Sequence, residues 1–290
     1  MNGIIVLDKP LGKTSHDMVN FMRRLTGIKK IGHTGTLDPM ATGVLPMCIG
    51  NATKAADMIT LSDKRYRAQF RLGITTDTED ISGEILNEKQ VDVTIEDIEK
   101  TIYSFCGEIE QIPPMYSAVK QNGKKLYELA RQGIEIERPK RKITIYSIDI
   151  IDVDIQSFTV TIDVHCSKGT YIRTLCADIG KKLGTGACMT ALRRTATGFF
   201  NIENAVTQEE LEKNVAQIDR FIIPVDHIFS DYPKIYLNEK QKKSILNGVR
   251  MTWRPGIEGQ SYRVYDEDKK FLCVSKCVDG RLRLEKSFWG

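Results

Sequence analysis

Two runs of alternating residues stand one after the other in the middle of the chain, KRKITIYSIDIIDVDI from Lys140 and FTVTIDVHC from Phe158. A period of two, with Phe158, Val160, Ile162 and Val164 on one side, is the pattern of a strand with one buried face. The pair reads as two long strands in one sheet, and every other element must be placed around it. GIIVLDKP reads as a short buried strand ended by Asp8 and Pro10, and RYRAQFRLG as another strand, with Tyr66, Ala68, Phe70 and Leu72 on one side. SHDMVNFMRRLTG reads as an amphipathic helix with Ser15 as N-cap, Met18, Met22 and Leu25 on one face, and Gly27 as its stop. TIEDIEKTIYSF is expected to be a core-packed helix capped by Thr94, and TYIRTLCADIGKKLG a helix stopping at Gly184. Thr207 and Glu210 carry the spacing of a capping box. Long antiparallel-looking strands mixed with single helices, without a βαβ rhythm, predict an α+β fold. Beyond Pro233 the chain turns basic and short-stranded, so a boundary is expected near residue 230.

Composition enters as a filter. With 290 residues, 41% hydrophobic and 28% charged, the chain falls outside the disordered and fibrous classes. No run approaches the roughly 18 apolar residues of a membrane span, and MNGIIVLDKP lacks the pattern of a secretion leader. A soluble, cytoplasmic protein with no membrane partner is expected. Seven cysteines without a CxxC predict neither a disulfide framework nor a zinc site, as in a reducing compartment.

The net charge of +4 is unevenly spread. Residues 231–290 hold thirteen Lys or Arg against eight Asp or Glu, and residues 120–142 eight against three, whereas residues 74–110 hold two against eleven. One acidic and two basic stretches allow a polyanion to dock in one orientation, though solvated surface charge explains them as well.

Several familiar motifs fail. Gly12-Lys13-Thr14 resembles the end of a P-loop, but Leu7 stands where its first glycine is required. DTEDISGE from Asp77 resembles an EF-hand loop, but Ile81 and Ser82 supply neither ligand nor turn glycine, so calcium is not expected. GxGxxG, HExxH, GxSxG and zinc-deaminase signatures are absent. No cofactor and no metal are expected. An enzyme of this sequence works with its own side chains.

The segment GHTGTLDPMATGVLP carries a lone carboxylate, Asp38, which before a proline is commonly a turn residue. Gly32-His33-Thr34-Gly35-Thr36-Leu37-Asp38-Pro39, followed by Ala41, Gly43 and Leu45, resembles the catalytic loop of the TruB family of tRNA pseudouridine synthases. LDKPLGKTSHD, KRYRAQFRLGITTDTEDISGE, QIPPMYSAVKQNGKKLYELARQG, CSKGTYIRTL and ALRRTATGFF resemble other segments of that family, in the family's order, over about 200 residues.

The resemblance implies a pseudouridine synthase fold with a mixed, mostly antiparallel central sheet and a catalytic cleft in residues 1–230. A basic thumb-like insert at about 111–142 and a small PUA-like RNA-binding β domain at 231–290 would complete it. It implies isomerisation of uridine 55 in the T loop of tRNA, without cofactor, by a protein expected to be a monomer. Asp38 would stabilise or trap the sugar, and Arg173 would hold Asp38 ionised. Tyr66 would lie against the flipped base as a proposed proton acceptor, Leu192 would form the opposite wall and Tyr171 would line the pocket. His33 would enter the RNA fold. Lys120, Lys124, Lys125, Arg131, Arg138, Lys140, Arg141 and Lys142 would contact phosphates, and the C-terminal module the acceptor stem. Lys9 and Pro10 would support the floor of the site. Two other readings stay open at this point. One is a protein that binds or folds tRNA without chemistry; the other is a glycoside-cleaving enzyme using Asp38 and Asp8 as a carboxylate pair.

Overall fold

A computed structural model describes residues 1–117, 119–121, 123–253 and 255–289. The first half supplies β1 (Gly3–Lys9), α1 (Ser15–Thr26), β2 (Ile31–His33), β3 (Ala41–Ile49), α2 (Ala56–Thr60) and β4 (Lys64–Leu72). A hairpin, β5 (Ile74–Thr76) with β6 (Ile85–Glu88), precedes α3 (Ile95–Tyr103) and β7 (Gly107–Gln111). The insert that follows contains β8 (Lys120–Gln121), β9 (Lys124–Lys125) and α4 (Leu126–Ala130). Then come β10 (Arg141–Asp154), β11 (Thr159–Cys166), α5 (Ile172–Leu183), β12 (Ala187–Thr197), β13 (Phe200–Asn201), β14 (Val206–Thr207) and α6 (Gln208–Lys213).

These strands make one ten-stranded sheet in the order β14-β1-β3-β12-β4-β11-β10-β7, with β2 on β3 and β13 on β12. The pairs β1–β14 and β3–β12 are parallel and the others antiparallel, so the sheet is mixed and mostly antiparallel. The two alternating runs pair as β10 and β11, register shifts after Ile145 and Ile150 absorbing one extra residue each. Tyr66, Ala68, Phe70 and Leu72 of β4 face a core shared with α3 and α5, while Arg65, Arg67 and Arg71 point to solvent. A second core lies under α1 and α6, against β1 and β3. β3 runs beside β12 at Ala41–Gly43, directly after the segment around Asp38 that leads from β2 into β3.

Two caps differ from the sequence expectation: the Thr207–Glu210 box forms only its Thr207 half, the hydroxyl accepting from the Glu210 N–H, and the cap of α1 is shifted. Thr14, not Ser15, caps α1: its hydroxyl accepts from the Asp17 N–H, and Asp17 closes the reciprocal bond to the Thr14 backbone. Ser15 is freed for another task, described below. Gly27 and Gly184 end their helices in the left-handed conformation, at φ 71° and 79°. Thr94 caps α3 with a full capping box. The insert's helix is five residues of α4, and Lys124 and Lys125 just before it belong to a short hairpin. Ala118 and Asn122 of the insert lie outside the described residues.

From Lys234 the chain builds a second sheet. It comprises β15 (Lys234–Leu237), β16 (Met251–Thr252), β17 (Ser261–Asp266), β18 (Phe271–Val278) and β19 (Arg281–Ser287), with α7 (Glu239–Leu246) capped by Asn238. Its order is β15-β17-β18-β19-β16 around its own core of Ile235, Leu237, Val264, Leu272 and Leu282. Phe229, Val274 and Phe288 join it to Ala55 of the larger part. No helix among the described residues is long and apolar enough to cross a membrane.

Candidate active site

The residues around Asp38 have few regular backbone partners, so their shape depends on side chains brought from elsewhere. Ser15, in the first turn of α1, donates its hydroxyl to the Leu37 carbonyl at 3.1 Å and accepts the Leu37 N–H at 2.8 Å, both out of water. The Gly12 N–H donates to the Pro39 carbonyl (2.8 Å), and the Ala41 N–H to the Asp38 carbonyl (3.0 Å). Lys9, fully buried at the end of β1, donates to the carbonyls of Lys13 (2.6 Å), Pro10 (2.9 Å) and Pro39 (3.4 Å). Four anchors from α1, β1 and the loop itself leave Asp38 little conformational freedom, the preorganisation that a reacting group requires.

The Asp38 carboxylate meets Arg173, from the first turn of α5, at 3.1 Å between Oδ2 and Nε. The arginine side chain is 5% exposed and that of Asp38 36%, so the acid is held from behind and open in front. Arg173 is itself held on every side: Nη1 donates to the Thr78 carbonyl (3.0 Å) and to Asp80 Oδ2 (3.3 Å), and Nη2 to the Tyr116 carbonyl (2.9 Å). Asp80 is buried, and its other oxygen accepts from the Thr78 hydroxyl and from the backbone and hydroxyl of Ser82. The segment that resembled a failed calcium loop is thus the cradle of Arg173.

Burial pushes the Asp38 carboxyl above the ordinary carboxylate range; Arg173 pulls it back, Asp80 pushes it up again and Lys9 lowers it. The guanidinium therefore moderates the cost of burial without cancelling it, because it is shared with Asp80. Burial likewise lowers Lys9 to about 8, with Asp38 opposing the fall.

Tyr66 of β4 lies buried, and its phenol is pushed up by burial against the opposing influence of Arg194. Leu192 of β12 is also buried, two residues before Arg194 on the strand that pairs with β4. Tyr171, half-buried at the start of α5, exchanges two backbone bonds with the Gln111 side chain, at 2.8 and 3.0 Å. Asp38 acts electrostatically on both tyrosines. The six residues Asp38, Tyr66, Tyr171, Arg173, Leu192 and Lys9 come from five separate segments, Tyr171 and Arg173 sharing the start of α5. His33, on β2, is half-buried; its Nδ1 has no hydrogen-bond partner among the described residues, and burial lowers its pKa. Asp8, next to Lys9 on β1, is held by Arg193 at 2.6 Å.

The basic insert is less free than its sequence suggests. Lys120, Arg131 and Arg141 are exposed, with Arg131 over the Tyr127 ring at 5.5 Å. Lys140 and Lys142, however, pair with Glu110 (3.3 Å) and Glu108 (3.0 Å) of β7, and Arg138 folds back onto the Pro113 carbonyl and Glu135. The exposed pairs are weak and exchangeable. Sequence reasoning missed Asp80, Ser15 and Arg194. Asp80 lay inside an acidic stretch that offered no reason to single it out.

Comparison with known proteins places these features in a lineage. The family model for the TruB family pseudouridylate synthase N-terminal domain matches residues 23–172, that for the tRNA pseudouridylate synthase B C-terminal domain residues 173–230, and that for the pseudouridine synthase II TruB C-terminal segment residues 233–284. The chain is 48% identical over 292 residues to tRNA pseudouridine synthase B of Clostridium kluyveri, covering 99% of this chain and 100% of the relative. It is 50% identical over 251 residues to the protein of that name from Alkaliphilus oremlandii, covering 87% and 83%. Among solved structures, a Cbf5-Nop10-Gar1 complex contains a chain that superposes with a TM-score of 0.73 at 26% identity, covering 99% of this chain and 85% of that one. An H/ACA RNP bound to a substrate RNA containing 2′-deoxyuridine contains one with a TM-score of 0.74 at 24% identity, over the same shares, and it supports the fold.

Proposed function

The chain belongs to the TruB family of pseudouridine synthases, and from that premise we propose that it isomerises uridine 55 in the T loop of tRNA to pseudouridine. The observation that carries this reading is the Asp38–Arg173 contact, a carboxylate backed by a buried guanidinium and open on its other side.

The reaction breaks the N1–C1′ bond, turns the uracil over and joins C5 to C1′; a proton leaves C5 and one is gained at N1. Breaking the glycosidic bond builds positive charge on the sugar, which an adjacent carboxylate stabilises or traps. Asp38 takes that role. Arg173 sets the direction of its carboxylate and keeps enough of it ionised. The target nucleotide leaves its stack to reach this point, and unstacking costs a few kcal/mol. Tyr66 and Leu192 flank the base once it is in, and Tyr171 closes the pocket. His33, at the mouth of the loop, fills the space the nucleotide vacates. Residues 1–230 form the catalytic domain and 231–290 the PUA-like module that follows the acceptor stem; a monomer suffices for both. Purified full-length protein is expected to release tritium from full-length tRNA labelled at uracil C5, with no added cofactor. A folded wild type that releases none refutes the reading.

The thumb supplies a second expectation. Phosphates displace Glu108 and Glu110 from Lys142 and Lys140, so the affinity for tRNA falls steeply with salt. Replacing Lys140, Arg141 and Lys142 by Gln removes up to three phosphate contacts and lessens the slope of log K against log salt by about 0.7 to 0.9 per contact. An unchanged slope in filter-binding titrations refutes the thumb's role in holding the backbone.

A further inference from the structure

Arg194 is a cation that the mechanism above does not use. Its side chain is 1% exposed, among the largest fully buried in the molecule. A buried charge without compensation is costly, and an apolar residue of similar volume fills such a place more cheaply. The compensation visible here comes from neutral oxygens: Nε donates to the Val44 carbonyl at 2.7 Å and Nη2 to the Gly35 carbonyl at 3.0 Å, and the Tyr66 phenol, opposite Arg194 across the β12–β4 ladder, acts on the guanidinium as well. That phenol is the acidic group acting on Arg194. The groups acting on the phenol in turn are Arg194 from β12, Cys166 from β11 and Asp38 from the catalytic loop.

The backbone is built to seat this side chain. Arg194 stands opposite Tyr66 in the β12–β4 ladder and opposite Gly43 in the β12–β3 ladder. Gly43 has a φ of +103°, and a Cβ there lies 2.2 Å from the Arg194 carbonyl, so only glycine lets β3 approach β12 this closely. Gly35, at φ +78°, turns its carbonyl onto the guanidinium three residues before Asp38. One side chain therefore ties together the catalytic loop, the first strand after it and the aromatic platform.

We propose that Arg194 is the positioning residue of Tyr66: it fixes the ring against the base and places a positive charge beside the phenol oxygen as that oxygen takes the proton from C5. This rests on the reading given under Proposed function. In the step concerned, the phenol has first lost its proton to water. Once the C5–C1′ bond has formed, the proton on C5 passes to the phenolate, which restores the conjugation of the ring, and N1 takes a proton from water. No electrons enter or leave. The neighbouring cation favours the phenolate, and two carbonyls keep it from drifting toward Asp38.

The test uses the full chain and full-length tRNA carrying protium or deuterium at uracil C5, in single-turnover product assays. Arg194→Lys keeps the charge, Arg194→Gln keeps donors without charge, and Tyr66→Phe removes the group on which Arg194 is argued to act. Arg194→Gln is expected to lose about 10²-fold in rate, within the range for general acid–base assistance, and Arg194→Lys less. tRNA affinity is expected to change less than about threefold, and the deuterium effect in Arg194→Gln to exceed that of wild type. In the Tyr66→Phe background the same substitutions are expected to cost less than about twofold, because they act through a group already gone. Full additivity, or a deuterium effect unchanged from wild type, overturns the proposal and leaves Arg194 a strut of the catalytic loop. A silent wild type sinks the function itself, an outcome distinct from either.

Discussion

Asp38→Asn is expected to release no measurable tritium from C5-labelled tRNA, a loss of at least about 10⁴-fold, while tRNA binding changes less than about threefold. The amide is close to the carboxylate in size but lacks its charge and its nucleophilic oxygen pair, so the developing sugar cation has nothing to meet. The fold does not depend on that charge. Arg173 keeps Asp80 and the carbonyls of Thr78 and Tyr116, and the Leu37 backbone keeps Ser15. The sign of the pH dependence separates this from mere unfolding. Burial places the folded-state pKa of Asp38 above its unfolded value, so the acid favours the folded state when protonated, and that contribution is lost as pH rises through the folded pKa. At neutral pH the asparagine variant is therefore expected to melt no lower than wild type, with its relative advantage shrinking toward acid pH. Calorimetry across that range, beside the tritium assay, checks both. Activity moves in the opposite direction: it needs the ionised form and falls as pH drops through a value above the ordinary carboxylate range. Appreciable turnover by Asp38→Asn refutes the role assigned to this carboxylate.

Arg173→Lys is expected to cost about 10²- to 10³-fold in the single-turnover rate, comparable to the loss of one preorganised electrostatic contact in an enclosed site. An ammonium carries the same charge, but it does not offer a planar fork to two carboxylates and two carbonyls at once. With its Nε contact gone, Asp38 loses the influence that most opposes burial, so the acid limb of the rate profile moves to higher pH. Asp80 is less exposed to the change because Thr78 and Ser82 still donate to it. An acid limb that stays in place, whatever the rate, contradicts the account of Arg173 as the group that keeps Asp38 ionised.

Much of the fold was legible from the chain. Period-two runs mark β4, β10 and β11 because a strand with one buried face must alternate, and Gly27 and Gly184 mark helix ends because left-handed backbone is cheap only for glycine. The cap of α1 was misplaced by one residue: Thr14 and Ser15 are both good caps, and what drew Ser15 away was a carbonyl and an N–H on Leu37, 22 positions later.

The local sequence by itself determined strand, helix and turn, because those depend on side-chain periodicity and backbone sterics within a few residues. It also singled out Asp38, through the resemblance of its loop to the catalytic loop of a family. The company Asp38 keeps was decided only in the tertiary structure. Arg173 lies 93 residues from the Asp80 that orients it, and Arg194 lies 159 from the Gly35 carbonyl that it grips. No periodicity encodes such pairs; the second arises when the sheet order sets β12 between β3 and β4, and the first when α5 meets the hairpin of β5 and β6. Whether a charge is solvated or buried, and hence which way its pKa moves, follows from that packing.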